Sequence, residues 1–315
     1  MRNRLLIGLL FFSLFGWGQV PDTNTFTLDT VVKVVNPATN DLSACFSAAV
    51  KANFDPIYDS IGYAPANSLL RFRNYQAIEA PCDTCYGLLY NWYAVNTGKL
   101  APTGWHVPSQ TEFETLRLYV ASQGWNYDGT TDAGTDTDNK QAKALANDCG
   151  WESSSITGAV GNTDYPAIRN ISGWSGLPTG HRRTNGEYLY IEGYGYWWST
   201  SLIYSIAPVN YYICYADIYF YAGFNEKQWG LSIRCVRDAY EGWENDVPVV
   251  DYDGNEYDVV EIGTQLWLVQ NLVTTHLNDG TAIPEVTDNS AWSVLTTPAF
   301  CAYDNDWSYA CKTRP

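Results

Sequence analysis

Aromatic side chains separated by glycines dominate the sequence from residue 86 onward, and they restrict the possible fold more than any other feature. The chain of 315 residues holds 13 Trp, 24 Tyr and 11 Phe, 15% of the total, whereas charged residues make up only 17%. Disordered chains show the opposite balance, rich in charge and poor in aromatics, and buried rings contribute large apolar areas to a core. The sequence therefore predicts a packed globular protein.

The net charge excludes one class of partner. The chain has 34 Asp and Glu against 18 Lys and Arg, a net charge of −16, and its longest cationic cluster is Arg182-Arg183. Binding to a polyanion requires a basic face that neutralises phosphates. We therefore expect no nucleic-acid partner.

Residues 1–18 have the pattern of a secretory signal peptide. Arg2 and Arg4 precede the apolar run 5–15, which is shorter than the about 20 residues that a membrane span needs. An uncleaved N-terminal anchor is the alternative. The pattern predicts a secreted or cell-surface protein, or a virion protein if a phage encodes it, without a membrane span after signal removal.

The cysteines indicate a structural role, as disulfides or buried thiols, rather than metal binding. An exported chain meets an oxidising compartment, where disulfides or buried thiols are expected. A zinc site at the C-x-x-C of residues 82–85 would need a second pair of ligands at matching spacing, and the sequence has none. The eight cysteines, whose pairing the sequence leaves open, are Cys45, Cys82, Cys85, Cys149, Cys214, Cys235, Cys301 and Cys311.

A small N-terminal module precedes the main domain, and two helices are predicted near the start of that domain. Residues 24–75 form a small N-terminal module with a helix predicted over 41–51, and this module is either a docking unit or a plain extension. In the domain at 76–239, Ser109 with Glu112 three residues later is a capping box that predicts a helix over about 109–121. A second short helix is predicted over 138–147 by propensity, and short strands follow. The pattern is that of an α+β domain.

Six motifs of this domain resemble one family. They are YGLLYNWYAVNTG, PTGWHVPSQTEFETL, GWNYDGT, GLPTGHRRTNGEY, YGYWWSTS and GLSIRCVRDA, in that order between residues 86 and 239. They are similar to motifs of the Fibrobacter succinogenes major paralogous domain family. The resemblance implies a C-type-lectin-like fold with two short helices and several short, mostly antiparallel strands, related to sulfatase-modifying factor domains. We expect the paired residues Trp197 and Trp198 to lie in its core.

Residues 250–315 resemble the amino-terminal half of the same family. The similar motifs are VDYDGNEY, IGTQLW, NDGTAIP and CAYDND. In family order this half precedes the YGLLYNWY half, whereas here it follows. Two interpretations stay open: the segment completes 76–239 as a permuted domain, or it is a truncated second copy.

The sequence contains none of the common catalytic motifs. The sequence has no H-E-x-x-H, no G-x-S-x-G and no phosphate loop. The oxidase among the sulfatase-modifying relatives works through a close pair of cysteines, whereas Cys214 and Cys235 lie 21 positions apart. We therefore expect no enzymatic activity.

A calcium site is a weaker possibility. Calcium prefers several oxygen ligands at close range, and a loop rich in Asp, Gly and Thr joins the two predicted helices. Its spacing does not fit an EF-hand, and a solvated loop is the alternative. The candidate ligands are Asp128, Asp132, Asp136 and Asp138.

The stretch 199–224 is the best candidate for a contact surface. It is rich in Tyr, Ile, Ala and Ser and contains no Lys, Glu, Gln, Met or Trp. Rigid tyrosines among small residues are typical of binding surfaces, although β-strands with aromatic cross-strand pairs, or retroelement-driven diversification, would also explain the composition. The candidate ligand-binding residues are Tyr204, Asn210, Tyr211, Tyr212, Tyr215, Tyr219 and Tyr221.

These observations predict an exported, lectin-like binding or adhesion protein. Aromatic rings would stack on a cell-surface glycan or protein, and neighbouring polar groups would set its orientation. A structural surface or virion component of the tail-fibre type, with self-association, is the alternative. An enzyme resembling the sulfatase-modifying factors ranks third.

Overall fold

The computed structural model describes residues 85–135, 138–239 and 248–310, which all belong to the compact unit Ala66–Pro315. The signal segment at 1–18, the module at 24–75 and Asp136 lie outside the described residues. The described chain is a mixed α+β structure with more strand than helix, as the sequence predicts. The finer assignment to a C-type-lectin-like fold stays a prediction.

The helices are short apart from one. Residues 85–310, apart from the two gaps, contain the α-helices α1 (Trp92–Val95), α2 (Gln110–Ser122), α3 (Ala142–Leu145) and α4 (Asn289–Ser293), and 3₁₀ turns occupy Tyr303–Asn305 and Trp307–Ala310. The predicted capping box is present, because the Ser109 side chain accepts from the Glu112 amide while the Glu112 carboxylate accepts from the Ser109 amide. The helix predicted over 109–121 is therefore confirmed.

The second predicted helix is shorter than expected. Only residues 142–145 of the range 138–147 are helical. The side chain of Asn139 exchanges two hydrogen bonds with the backbone of Phe220, at 3.0 and 2.8 Å. Side-chain bonds of this kind compete with helix formation at the amino-terminal end, which propensity alone does not register.

In the described part of the chain, twelve strands form four sheets. The strands are β1 (Leu89–Tyr90), β2 (Thr179–Arg182), β3 (Tyr188–Ile191), β4 (Tyr194–Ile203), β5 (Ala207–Cys214), β6 (Phe220–Phe224), β7 (Val236–Asp238), β8 (Val249–Val250), β9 (Glu256–Tyr257), β10 (Val259–Ile262), β11 (Gln265–Leu268) and β12 (Phe300–Cys301). The largest sheet has the order β3-β2-β4-β5-β6, and all its pairs are antiparallel except β2 with β4. The predicted excess of antiparallel strands is confirmed.

One side of the five-stranded sheet faces an aromatic core. Trp197 on β4 contacts Trp174 with ring centroids 4.7 Å apart, and Trp174 in turn contacts Trp267 on β11. Phe113 from α2 lies 5.4 Å from Trp267, so the helix closes the core above the sheet. Trp198, the next residue on β4, points to the other side of the sheet and lies in the largest hydrophobic cluster. Both tryptophans are fully buried, which confirms their predicted place in the core.

The carboxyl-terminal segment packs into the same unit. Strand β11 pairs with β7 and β12 pairs with β1, so two sheets are shared between the segments 85–239 and 248–310. The largest hydrophobic cluster also draws side chains from both segments. These contacts are those expected of a permuted complement. That interpretation of the domain order stays a prediction.

Two buried arginines depend on this segment. Arg182 and Arg234 have no exposed surface. The Arg182 guanidinium donates to the carbonyls of Val286 and Thr287 at 2.6 and 3.0 Å. Arg234 donates to the carbonyl of Leu268 at 3.1 Å and to other acceptors, and burial lowers its pKa to about 9. A buried cation without acceptors is costly, so the carbonyls of the segment stabilise the core.

None of the helices that the structure describes is both long enough and apolar enough to cross a membrane.

Candidate functional site: the tyrosine face

The opposite side of the five-stranded sheet carries a continuous row of tyrosine rings. Strand pairing places Tyr196 on β4 beside Tyr212 on β5, and Tyr212 beside Tyr221 on β6. Because side chains alternate along each strand, these three point away from the core side of the sheet. We define the tyrosine face as the rings of six residues: Tyr190, Tyr194, Tyr196, Tyr212, Tyr219 and Tyr221.

The rings of the tyrosine face contact one another. Successive ring centroids along the row lie 5.0, 5.7, 5.2, 4.8 and 5.2 Å apart, in the order Tyr190, Tyr194, Tyr196, Tyr212, Tyr221 and Tyr219. Tyr194 and Tyr196 are nearly parallel at 11°, and Tyr212 and Tyr221 at 17°. The rings use much of their faces against each other. The face therefore presents ring edges and hydroxyl groups more than open ring faces.

Most hydroxyl groups of this row have no hydrogen-bond partner among the described residues. Burial raises the pKa of Tyr196 and Tyr212, so both phenols stay neutral donors near neutral pH. Among the described residues, the hydroxyls of Tyr190, Tyr196, Tyr212 and Tyr219 have no hydrogen-bond partner. Tyr221 differs, because its hydroxyl donates to Asp217 at 2.6 Å. The row offers several groups to an external hydrogen-bonding ligand.

The structure separates the seven predicted contact residues into three groups. Tyr212, Tyr219 and Tyr221 belong to the tyrosine face and are partly exposed, and Tyr215 follows β5 with partial exposure. Tyr204 lies apart at the tip of the β4–β5 hairpin and is 91% exposed. The remaining two, Asn210 and Tyr211, require a correction.

Asn210 and Tyr211 are buried and are not available to a surface ligand. Tyr211 points to the core, where it stacks on Phe113 with centroids 4.4 Å apart and donates to Glu114 at 2.7 Å. Asn210 has 1% exposure, although its Nδ2 atom has no partner among the described residues. Composition identified the stretch, but the alternation of side chains along β5 turns Tyr211 to the core. Asn210 lies on the same side as Tyr212 and is covered by its neighbours, with its Oδ1 accepting from Asn225 at 3.1 Å.

Several residues of the site fall outside the predicted stretch. Tyr190, Tyr194 and Tyr196 precede residue 199, and they join the face because β3 and β4 lie in the same sheet. His181 on β2 contacts Tyr196 at 5.0 Å and stacks on Trp229 at 4.5 Å. The alternating tyrosines at 188, 190, 194 and 196 are the sequence signal that could have extended the prediction.

The hairpin tip between β4 and β5 holds its tyrosine in an unusual conformation. Tyr204 and Ser205 have φ angles of 51° and 60°, and the Ile206 amide donates to the Ile203 carbonyl at 3.0 Å. Both central residues of such a hairpin turn need positive φ, which Asn and Gly adopt more readily than Tyr and Ser. The conformation costs stability and projects Tyr204 into solvent.

An open groove of about 660 Å³ adjoins the tyrosine face at Trp229. Its lining residues are Tyr93, Ile206, Ala207, Pro208, Phe224, Asn225, Glu226, Lys227, Gln228 and Trp229. Phe224 and Ile206 are 64% and 72% exposed, which makes this end of the sheet apolar as well as accessible. The volume falls in the range typical of sites for small ligands.

The comparisons with known proteins assign a family. The chain matches the family model of the Fibrobacter succinogenes major domain over residues 70–237, more than half of its length. The chain belongs to this family. No curated protein and no solved structure matches it.

The Fibrobacter succinogenes major domain contains the whole tyrosine face. The family match ends at Arg237 within β7, the strand that pairs with β11 of the carboxyl-terminal segment. The groove and His181 also lie inside the matched range. The candidate site therefore belongs to the family domain itself.

The calcium site predicted in this domain finds no support among the described residues. The Asp128 carboxylate accepts from Lys140 at 2.5 Å and from Thr130 at 2.6 Å. Partial burial alone would raise the pKa of Asp128, but these hydrogen bonds lower it. Asp132 and Asp138 are exposed, Asp136 lies outside the described residues, and no described group of three acidic, His or Cys residues is arranged to hold a metal.

Three cysteines of the domain are buried free thiols. These are Cys214, Cys235 and Cys301, and burial raises the pKa of each. A thiol with a raised pKa holds little thiolate, which is the nucleophilic form. These three match the expectation of buried thiols, and disulfide pairing among the other cysteines stays a prediction.

Proposed function

We propose that this protein is an exported binding or adhesion protein that presents the tyrosine face to a glycan or protein ligand outside the cell. One observation carries the proposal: four tyrosine hydroxyls on a partly exposed, mutually stacked row have no partner among the described residues. The signal pattern at 1–18 supports export. Because of this row of hydroxyls, we place the binding function above the alternative of a self-assembling surface or virion component.

The packing of the row favours recognition. Rings that already contact each other at 4.8 to 5.7 Å lose little side-chain freedom when a ligand arrives. A preorganised surface of this kind avoids part of the entropy cost of binding. Since four hydroxyls have no partner among the described residues while the rings contact one another, hydrogen bonds would supply more of the specificity than ring stacking.

The proposal assigns binding rather than catalysis to this face. Phenols with raised pKa are weak acids and poor nucleophiles, and the free thiols lie buried. Neutral hydroxyls suit ligand recognition, where one group both donates and accepts.

A glycan array and a cell-surface protein pull-down test this proposal with the complete secreted chain. The double variant Tyr212→Ala with Tyr221→Ala removes the centre of the tyrosine face, and we expect a loss of affinity of at least about tenfold. Tyr252→Ala serves as the matched control, because Tyr252 is 59% exposed and lies outside the face.

Two outcomes would contradict the proposal. Equal binding by the double variant and the wild type would show that the ligand contacts another surface. Self-assembly of the wild type without any signal on the array or in the pull-down would place the structural function first.

A further inference from the structure

His181 lies beneath one end of the tyrosine face with unsatisfied ring nitrogens. The residue has 1% exposure, and neither Nδ1 nor Nε2 has a hydrogen-bond partner among the described residues. Burial, with a smaller effect of the Arg183 charge, lowers the pKa of His181 to about 4. The neutral imidazole therefore keeps one N–H donor without an acceptor. An orphaned buried donor is destabilising unless a ligand supplies the acceptor.

Arg183 places a second unsatisfied donor beside the first. It is two residues from His181, so both side chains lie on the same side of the chain. Its guanidinium carbon is 5.9 Å from the ring centroid of Trp229, the ring on which His181 stacks. The buried Nε has no partner, and the side chain forms no ion pair with any residue that the structure describes. An unpaired arginine is unusual in so acidic a protein.

The nearby carboxylates are occupied elsewhere. Glu226 accepts a hydrogen bond from the Thr184 hydroxyl. Glu187 accepts from the Asn185 amide at 2.8 Å. Neither lies within ion-pair distance of Arg183, so the guanidinium keeps its charge available for an external anion.

The same corner adjoins the groove through Trp229. Trp229 contacts His181 and also lines the groove, whose wall includes Lys227. The groove of about 660 Å³ has the size of a site for a short oligosaccharide, whereas a protein partner would cover a broad, flat area of about 800 Å². Its apolar wall of Phe224, Ile206 and Pro208 suits the C–H faces of sugar rings.

We propose that the corner formed by His181, Arg183 and Trp229 binds the carboxylate of an acidic sugar, within a glycan that lies in the adjoining groove. A carboxylate matches the planar guanidinium of Arg183 and accepts from the imidazole N–H of His181. Tyr190 covers the imidazole at 5.5 Å and is 48% exposed, so this is the ring that moves when the ligand enters. The inference rests on the proposed function and specifies its ligand.

Titration calorimetry with paired ligands tests the inference on the complete chain. The first pair is tri-galacturonate and its methyl ester, and the second is sialyllactose and its methyl ester. Each pair differs in the carboxylate charge while keeping hydroxyl-bearing sugar rings. We expect the wild type to bind at least one acidic member about tenfold more tightly than its neutral partner.

Two variants isolate the carboxylate contact. Arg183→Gln should reduce the preference to within about twofold, because it weakens binding of the acidic member of each pair more than binding of its neutral partner. Lys99→Gln removes the same charge at an exposed ion pair with Asp279, and it should retain the preference. The melting temperature of each variant confirms that it is folded.

The outcomes separate this inference from the proposed function. Equal affinity for acidic and neutral sugars, or an unchanged preference in Arg183→Gln, overturns the carboxylate site and leaves binding by the tyrosine face intact. Binding to peptide or protein ligands but to none of the glycans also overturns it. Absence of binding to every glycan and every cell-surface protein overturns both.

Discussion

Tyr211 and Tyr212 are neighbours on β5, yet they belong to opposite surfaces of the five-stranded sheet. Tyr211 is fully buried, stacks on Phe113 and donates its hydroxyl to Glu114 at 2.7 Å. Tyr212 is partly exposed, stacks on Tyr221 at 4.8 Å and has no hydroxyl partner among the described residues. Both rings are tightly packed. The difference lies in the hydroxyl group. The Tyr211 hydroxyl has a partner in the core, whereas the Tyr212 hydroxyl has none among the described residues and is available to a ligand.

The two sides of the sheet also differ in their dependence on the carboxyl-terminal segment. On the core side, Trp197 donates to Asn271 at 2.9 Å and contacts Trp174, which contacts Trp267. The rings of the tyrosine face lie on β3, β4, β5 and β6, except for Tyr219, which directly precedes β6. The side that carries Trp197 therefore depends on contacts with the carboxyl-terminal segment, whereas all six rings of the tyrosine face come from the segment 85–239.

Truncation of the two tyrosines should have very different effects. Tyr211→Ala leaves a large cavity in the core, and we expect a loss of about 3–5 kcal/mol in the free energy of unfolding. Tyr212→Ala loses only cross-strand ring contacts, worth about 1 kcal/mol. Denaturant unfolding of both variants measures the difference.

Tyr211→Phe is the control for the first variant. It keeps the ring and removes only the hydroxyl, which bonds to Glu114 at 2.7 Å and to the Gln110 carbonyl at 3.4 Å, a loss of about 1 kcal/mol. Equal losses for the two alanine variants would contradict the distinction between the faces.

Asn271 tests the dependence of the core side on the carboxyl-terminal segment. Its Oδ1 accepts from Trp197 at 2.9 Å and from Arg234 at 3.1 and 3.2 Å. Asn271→Ala leaves a buried cation and an indole N–H with fewer acceptors, so we expect a loss of about 2–3 kcal/mol.

Asn278→Ala is the matched control, because Asn278 lies in the same segment and donates to the Ala101 carbonyl at 3.1 Å. It should cost about 1 kcal/mol or less. A loss for Asn271→Ala no greater than for this control would show that the segment does not hold the core arginine.

The smallest effect concerns the hairpin tip. Tyr204→Asn with Ser205→Gly places residues that favour positive φ at both central positions of the turn, and we expect a gain of about 0.5–1 kcal/mol. Thermal unfolding measures this gain.

Ile206→Gly is the control for the turn, because Ile206 is not among the residues with positive φ. Glycine there should lower stability through its larger unfolded-state entropy. A loss of stability in the double variant would mean that the native side chains make contacts that outweigh the strain.

Local signals predicted the parts of the fold that depend on neighbouring residues. The capping box at Ser109 and Glu112 predicted α2 almost to the residue, since both hydrogen bonds close within one turn. The helix predicted over 138–147 was mostly wrong, because Asn139 bonds to Phe220 far along the chain. Propensity contains no information about such a distant partner.

The candidate site was predicted as a stretch but not as a surface. The Tyr-rich composition of 199–224 pointed to β4, β5 and β6, and Tyr212, Tyr219 and Tyr221 lie on the face. Tyr211 was included because the sequence does not state the side to which β5 turns each residue. His181 and Arg183 were missed, since their significance lies in hydrogen bonds that they do not make.

The amino-acid sequence by itself determined that this acidic, aromatic chain packs as an α+β domain of the Fibrobacter succinogenes major family, because composition, caps and motifs are local properties. Only the tertiary structure decided which tyrosines are core and which form the outer face. It also decided that residues 248–310 share the core of residues 85–239. The physical reason is that strand register and burial arise from partners far apart in the chain, and these partners set the environment of every ring.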